Sequence, residues 1–441
     1  MWVSTTGIRA LLDREQIMGL ATDNATARAA RELAGADQRP SAGWVQTDGP
    51  LDGRLLWVEF PEARRAPTLT TVSLPDMWAT CSCPATRFPC RHVIALLLRD
   101  LQESIAPTSD APEWAAAVAG RSPAPDGGHE AGEREAAVVA GMAELRLWLG
   151  DLARDGLAGL PKRGRGAWQG AIDRLEDAYA LEAARELREM AALPGSGNDW
   201  PERLLPRLGR LALLAEAFRR LDELPPGERG DALAAAGHYP RSTGATVADD
   251  WIVVGRVTEV ENRAIRWRTW LLGRATGRWA RLDEACAAGD LQGVLLPTGA
   301  VAAGELAYLP SAYPLLAQPA APLRVEPLDD DGFSHQEAGI DAALRGYAAA
   351  LASNPWLRRY PLGLHGVWIE PPGPAGGRWR LRDREGRLLL LPPQFGHGWR
   401  LLALSADRPL SIFGEWDGAT FTPAGYFDGR WRAFTPWRPV P

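Results

Sequence analysis

Apolar residues recur along this chain with two different periods, and the changes of period divide it. Residues 43–47, 54–60 and 68–74 are short runs of aromatic, β-branched and aliphatic residues bounded by Gly, Pro and Asp, which predicts three strands. The Ala-rich segment 24–34 before them is helix-forming. After them, Val93, Leu96, Leu97 and Leu101 share one face of a helix over 90–103, and that face must pack on something, the strands being the nearest surface. From 134 to 236 the period is helical. Met142, Leu145, Leu149 and Leu152 keep one face, as do Ile172, Leu175 and Tyr179, and again Leu204, Leu208, Leu211 and Phe218. Asp199-Trp-Pro201 is a helix start signal, and Pro161, Pro194 and Pro225 fall in connections. These stripes read as the core of a bundle of four or so helices. From 247 strands return, at 251–257, 266–272, 279–282 and 305–309, then a helix over 333–353, then a second β-rich stretch.

The pattern implies a multidomain α+β protein. A small α+β domain occupies 1–105, a linker 106–133, a helical domain 134–246, a β-rich domain 247–330, and a helix plus Trp/Arg-rich β domain 331–441. The linker is rich in Pro, Gly, Asp and Ser, with a short docking helix expected within 110–118.

Composition changes the picture in three places. A net charge of −6 over 441 residues excludes a polycationic nucleic-acid binder. Lys162 is the only lysine, a bias that fits a GC-rich bacterial genome and carries no functional weight. The N-terminus lacks the charged and apolar regions of a secretory signal, and no apolar run approaches about 18 residues. A cytoplasmic protein without membrane spans is therefore expected. The last stretch, 354–441, differs in holding twelve arginines against seven acidic residues. Within it Arg378, Arg380 and Arg382 alternate with Trp379 and Leu381, so a strand there presents one arginine face and one apolar face. Such a face can stack and neutralise a single nucleic-acid strand or meet an acidic protein. A solvated strand with Trp in the core is the plainer reading.

The strongest chemistry is local. Cys81, Cys83 and Cys90, three of only four cysteines, are followed by His92. Three thiolates and one imidazole complete a tetrahedral zinc shell, and four protein ligands leave no open position, so the site is structural. Cys81 and Cys83 are two apart and share one side of an extended segment. Pro84 and Pro89 restrict the loop between the pairs. Cys90 and His92 open the apolar helix, whose free N–H groups favour the net charge of about −1 of a Cys3His zinc site. Disulfide pairing is the alternative, but a Cys81–Cys83 bridge closes a strained ring. Cys286, without a partner nearby, reads as a plain thiol. His129 reads as a loop residue, and His238 and His335 have no triad-like context.

The Cys-x-Cys-x6-Cys-x-His pattern followed by an apolar helix resembles the SWIM zinc finger, with Arg91 where Lys is common. Residues 20–33, 56–59, 143–149, 199–205, 251–256 and 413–418 are also similar to bacterial SWIM zinc finger proteins. The resemblance implies binding of DNA or proteins, no enzymatic activity, and partners of the MoxR-type AAA+ ATPase and von Willebrand factor A classes.

No Walker, dinucleotide, zincin or nucleophile-elbow motif is present. Glu415 and Asp417 flank Trp416, which turn chemistry at Asp417-Gly418 explains. His365 and His397, each followed by Gly, suggest turns. The expected function is a non-enzymatic zinc-binding interaction protein, a scaffold or adaptor. The alternative is a DNA-binding protein that uses the zinc unit with Arg64, Arg65, Arg87 and Arg91.

Overall fold

The β-branched and aromatic runs of the N-terminal region form an antiparallel meander of strands Ser41–Thr47, Gly53–Phe60, Thr68–Leu74 and Trp78–Cys81. The computed structural model describes residues 8–35, 40–47, 53–62, 66–74, 76–85, 87–103, 105–117, 128–239, 246–261, 264–286, 291–328, 339–373, 376–405 and 408–434. The meander does not end with its own domain. Strand Leu291–Val294 pairs with Trp78–Cys81 and adds a fifth member, Cys81 facing Leu291.

Helix Arg91–Glu103 lies at the centre of this unit. Only one face was expected to be buried, yet every residue from Val93 to Leu98 is fully buried. It has neighbours on both sides: helices Ile8–Leu11, Arg14–Gly19 and Asn24–Ala34 on one, the strands on the other. Asp100 anchors the arrangement. Its carboxylate pairs with the Arg54 guanidinium at 2.9 Å and accepts N–H bonds from Ile8 and Ile105.

The bundle follows the periodicity. Helices Gly128–Asp155, Gly166–Asp177, Leu181–Met190, Trp200–Arg219 and Pro226–Ala236 enclose Met142, Leu145, Ile172, Leu175, Leu204, Leu211 and Phe218. Tyr179 departs from the expected stripe. Its backbone turns to a positive φ of 58° past the helix end, which swings the ring out to 53 % exposure.

The middle sheet is built on strands Thr246–Glu261, Ala264–Gly273, Trp279–Cys286 and Ala300–Tyr308, with Ala317–Pro319 and Arg324–Pro327 at one side. Both faces are buried. Trp251, Val253, Trp267 and Leu271 join the core of the N-terminal unit, whereas Ile252, Val254, Trp270 and Leu272 join that of the C-terminal unit. Strict alternation sends neighbouring residues to opposite cores. The core of the N-terminal unit thus draws on residues on both sides of the boundary expected at 105, and that of the C-terminal unit on both sides of the one expected at 330. The last sheet, ordered Leu388–Leu390, Arg380–Arg382, Tyr360–Glu370, Leu410–Trp416, Phe421–Phe427 and Trp431–Ala433, is covered by helices Ile340–Ser353 and Gly398–Leu404. No helix among the described residues is long and apolar enough to cross a membrane.

Candidate metal centre

Strand Trp78–Cys81 turns Ala79 and Cys81 inward. The chain stays tied to its neighbour for one more residue, since Ser82 N donates to the Leu69 carbonyl and Ser82 Oγ accepts from Leu69 N, both at 2.9 Å. That tie limits how far Cys83 can lie from Cys81. Cys90 immediately precedes helix Arg91–Glu103, and its carbonyl accepts the Ile94 N–H at 3.2 Å, which places His92 in the first turn.

The four side chains converge. Their donor atoms all lie within 4.8 Å of one another, and no residue of the four is more than 7 % exposed. His92 Nδ1 is 3.8 Å from Cys81 Sγ and 3.9 Å from Cys90 Sγ. These are too long for strong hydrogen bonds but near the edge of a tetrahedron around zinc, roughly 3.5 Å for metal–ligand bonds of about 2.0 and 2.3 Å. None of the three cysteines is in a disulfide.

Electrostatics point the same way. Cys90 is pushed above the usual thiol range by hydrogen bonding with Cys81 and Cys83 and by burial. Cys81 rises to about 11, chiefly through its bond to Cys83, while Cys83 is held down by accepting from both neighbours. Three sulfurs this close and this buried repel as thiolates, and a divalent cation supplies the charge that lets all three ionise. Thr70 Oγ1 lies 3.2 Å from Cys81 Sγ and supplies a polar contact to it. The set fits one structural zinc ion held by Cys81, Cys83, Cys90 and His92, with no position left open for a substrate.

The loop between the pairs is built into the rest of the molecule. Phe88 is fully buried and stacks on Trp267 of the middle sheet, ring centres 6.1 Å apart. Gly293 lies beneath it, where an added Cβ would sit 3.3 Å from the Phe88 ring.

Of the arginines singled out from sequence, Arg91 lies beside the site, its Nε 3.5 Å from His92 Nε2. Arg87 is ion-paired to Asp23, and Arg91 is exposed beside His92. Arg64 and Arg65 lie outside the described residues, as do His335 and the side chains of His129 and Cys286. Arg380 and Arg382 belong to the C-terminal sheet, and Arg378 precedes their strand rather than lying in it as expected. The arginines expected to form a face there are engaged within the chain, since Arg380 and Arg382 share Glu370 at 3.2 and 2.7 Å, and Arg378 donates to the Leu391 carbonyl and Thr420. His365 sits within a strand rather than at a turn, its Nδ1 2.6 Å from Ser411 Oγ on an exposed face.

A second constellation escaped sequence reasoning. Glu415 is 2 % exposed and accepts from Arg268 Nε and Nη2 at 2.7 and 2.8 Å and from Trp270 Nε1 at 2.8 Å. Glu259 joins through Arg268 and Arg185, and Arg358 reaches Glu186 of the bundle at 2.9 Å. Arg185, Glu259, Arg268 and Arg358 line a cavity of about 390 Å³ where bundle, middle sheet and C-terminal unit meet. Only Asp417 of the Glu415–Asp417 pair serves the turn, accepting from Ala419 N and Thr420 N.

Site and fold together define a zinc-binding α+β module joined to a helical bundle. Residues 71–100 match the SWIM zinc finger, and residues 133–236 match the SWIM-associated four-helix bundle domain. The chain therefore carries a SWIM zinc finger and the bundle associated with it. No curated protein and no solved structure shows significant similarity to the chain. SWIM zinc fingers in general mediate protein or nucleic-acid interactions.

Proposed function

We propose that this protein is a non-enzymatic, cytoplasmic scaffold that binds other proteins, its zinc folding the N-terminal module rather than acting on a substrate. The observation that carries this reading is that three of the candidate contact arginines are already engaged within the chain. Arg87, Arg380 and Arg382 are ion-paired within the chain, and a phosphate backbone needs free cations. The closed four-ligand shell argues against catalysis by the metal. Buried reduced thiols suit a reducing compartment. The partners implied by family resemblance are a MoxR-type AAA+ ATPase and a von Willebrand factor A-domain protein.

The DNA-binding alternative is tested by binding of purified zinc-loaded wild type and Cys90→Ser to single- and double-stranded DNA across a salt series. Absence of binding at low salt supports the scaffold. Steep salt-dependent binding that Cys90→Ser loses overturns it. Co-purification with a MoxR-type AAA+ ATPase and a von Willebrand factor A protein of the source cell tests the partner classes.

A further inference from the structure

We infer that Glu62 is an outer carboxylate of the metal centre, which holds His92 in the tautomer that ligates through Nδ1. Two nitrogens of the ring compete for the metal, and the structure distinguishes them. Nδ1 faces Cys81 Sγ at 3.8 Å and Cys90 Sγ at 3.9 Å, inside the cluster. Nε2 points away from the sulfurs, 3.9 Å from Glu62 Oε1 and 3.5 Å from Arg91 Nε.

Those two neighbours of Nε2 demand opposite protonation. Arg91 can only donate, so a bond from it requires a bare Nε2 and places the proton on Nδ1, where it blocks the metal. Glu62 can only accept, so a bond formed by closing the 3.9 Å gap requires Nε2–H and leaves the Nδ1 lone pair free. Loading the cluster selects the second arrangement. A metal-bound imidazole is ordinarily oriented in this way, its distal N–H given to a carboxylate or carbonyl.

The surroundings suit the role. Glu62 follows strand Gly53–Phe60, and Phe60 packs on the His92 ring with centres 5.2 Å apart, so one short segment sets both the plane of the imidazole and the acceptor at its far edge. Thr68 Oγ1 donates to Glu62 Oε1 at 3.3 Å and tethers the carboxylate from the adjacent strand. Glu62 is two residues past the strand and two sheet strands away in sequence from the ligands, so its part is visible only in three dimensions. It is a positioning residue, touching the ligand and not the metal.

The test uses full-length protein and zinc alone. Zinc affinity is measured by competition with a chromogenic chelator for wild type, Glu62→Ala, Glu62→Gln and Arg91→Ala, with far-UV circular dichroism checking the fold. Glu62→Ala is expected to lose about tenfold to 100-fold in affinity. Glu62→Gln should lose less, because its amide oxygen still accepts from Nε2–H. Arg91→Ala should lose nothing. Nitrogen-15 correlation spectra of the His92 ring in zinc-loaded wild type should show Nε2 protonated and Nδ1 metal-bound. Unchanged affinity in a folded Glu62→Ala, or a ring bound through Nε2, overturns the inference.

Discussion

Glu415→Ala removes the carboxylate on which the middle and last sheets converge. Glu415 comes from strand Leu410–Trp416, while Arg268 and Trp270, which donate three hydrogen bonds to it, come from Ala264–Gly273. Arg268 is 8 % exposed and Trp270 wholly buried, so neither donor can turn to bulk water when the acceptor is lost. Removing one partner of a buried pair costs about 3–5 kcal/mol. Glu259, 2.9 Å from Arg268, keeps half of the compensation and places the ion-pair loss at the lower end, about 3 kcal/mol. The orphaned Trp270 N–H adds about 1 kcal/mol. A total near 4 kcal/mol is expected. Guanidinium unfolding followed by tryptophan fluorescence measures it, and a cycle with Arg268→Met should return a coupling of more than about 1.5 kcal/mol. A loss below about 1 kcal/mol at unchanged denaturant slope would refute the reasoning, because the carboxylate would then be replaceable by solvent.

Other outcomes follow from the same structure. Cys90→Ser or His92→Ala should abolish zinc content and raise hydrogen exchange both at Trp78–Cys81 and at Leu291–Val294, its partner strand, which exchange mass spectrometry reads directly. Burial pushes the Glu259 carboxyl up, but the bond from Arg268 and the charges of Arg268, Arg359 and Arg185 outweigh it and hold the group at about 2, against its usual 4.5. A carboxyl depressed in the folded state contributes stability that is complete above about 4.5 and is lost as pH falls towards 2, so Glu259→Gln should flatten that acid limb in melts recorded across pH. Gly230→Ala should lower the melting temperature although alanine favours helix by about 1 kcal/mol, since its Cβ would lie 2.1 Å from the Pro310 carbonyl oxygen. A raised melting temperature would show that the bundle does not dock there.

Much of this was legible in the sequence where the determining residues are close along the chain. The metal ligands span only Cys81 to His92, the bundle helices announce themselves through apolar spacing, and the helix-forming residues of Asn24–Ala34 give it its expected ends. What escaped depends on distance. Leu291-Gln-Gly-Val294 has no alternation to mark it as a strand and becomes one because Trp78–Cys81 offers an edge. Glu415 looks like half of a turn until Arg268, 147 residues earlier, is beside it. The alternation of Arg378, Arg380 and Arg382 is plain from sequence, but Glu370, which pairs with two of them and offsets one charge, reaches them only through strand pairing. The two-core burial of the middle sheet was hidden for the same reason, since both faces are apolar and periodicity cannot say what covers each.

The strand at Leu291–Val294 also gives the protein a history during synthesis. When Cys90 and His92 leave the ribosome, the edge at Trp78–Cys81 still lacks the segment that will close it, more than 190 residues downstream. At roughly 5–20 residues per second, that edge stays open for about 10–40 seconds. An open edge is a template for pairing with a neighbouring chain. Early capture of zinc would hold the nascent module in shape through that interval, so metal supply during translation bears on how much of the protein assembles correctly.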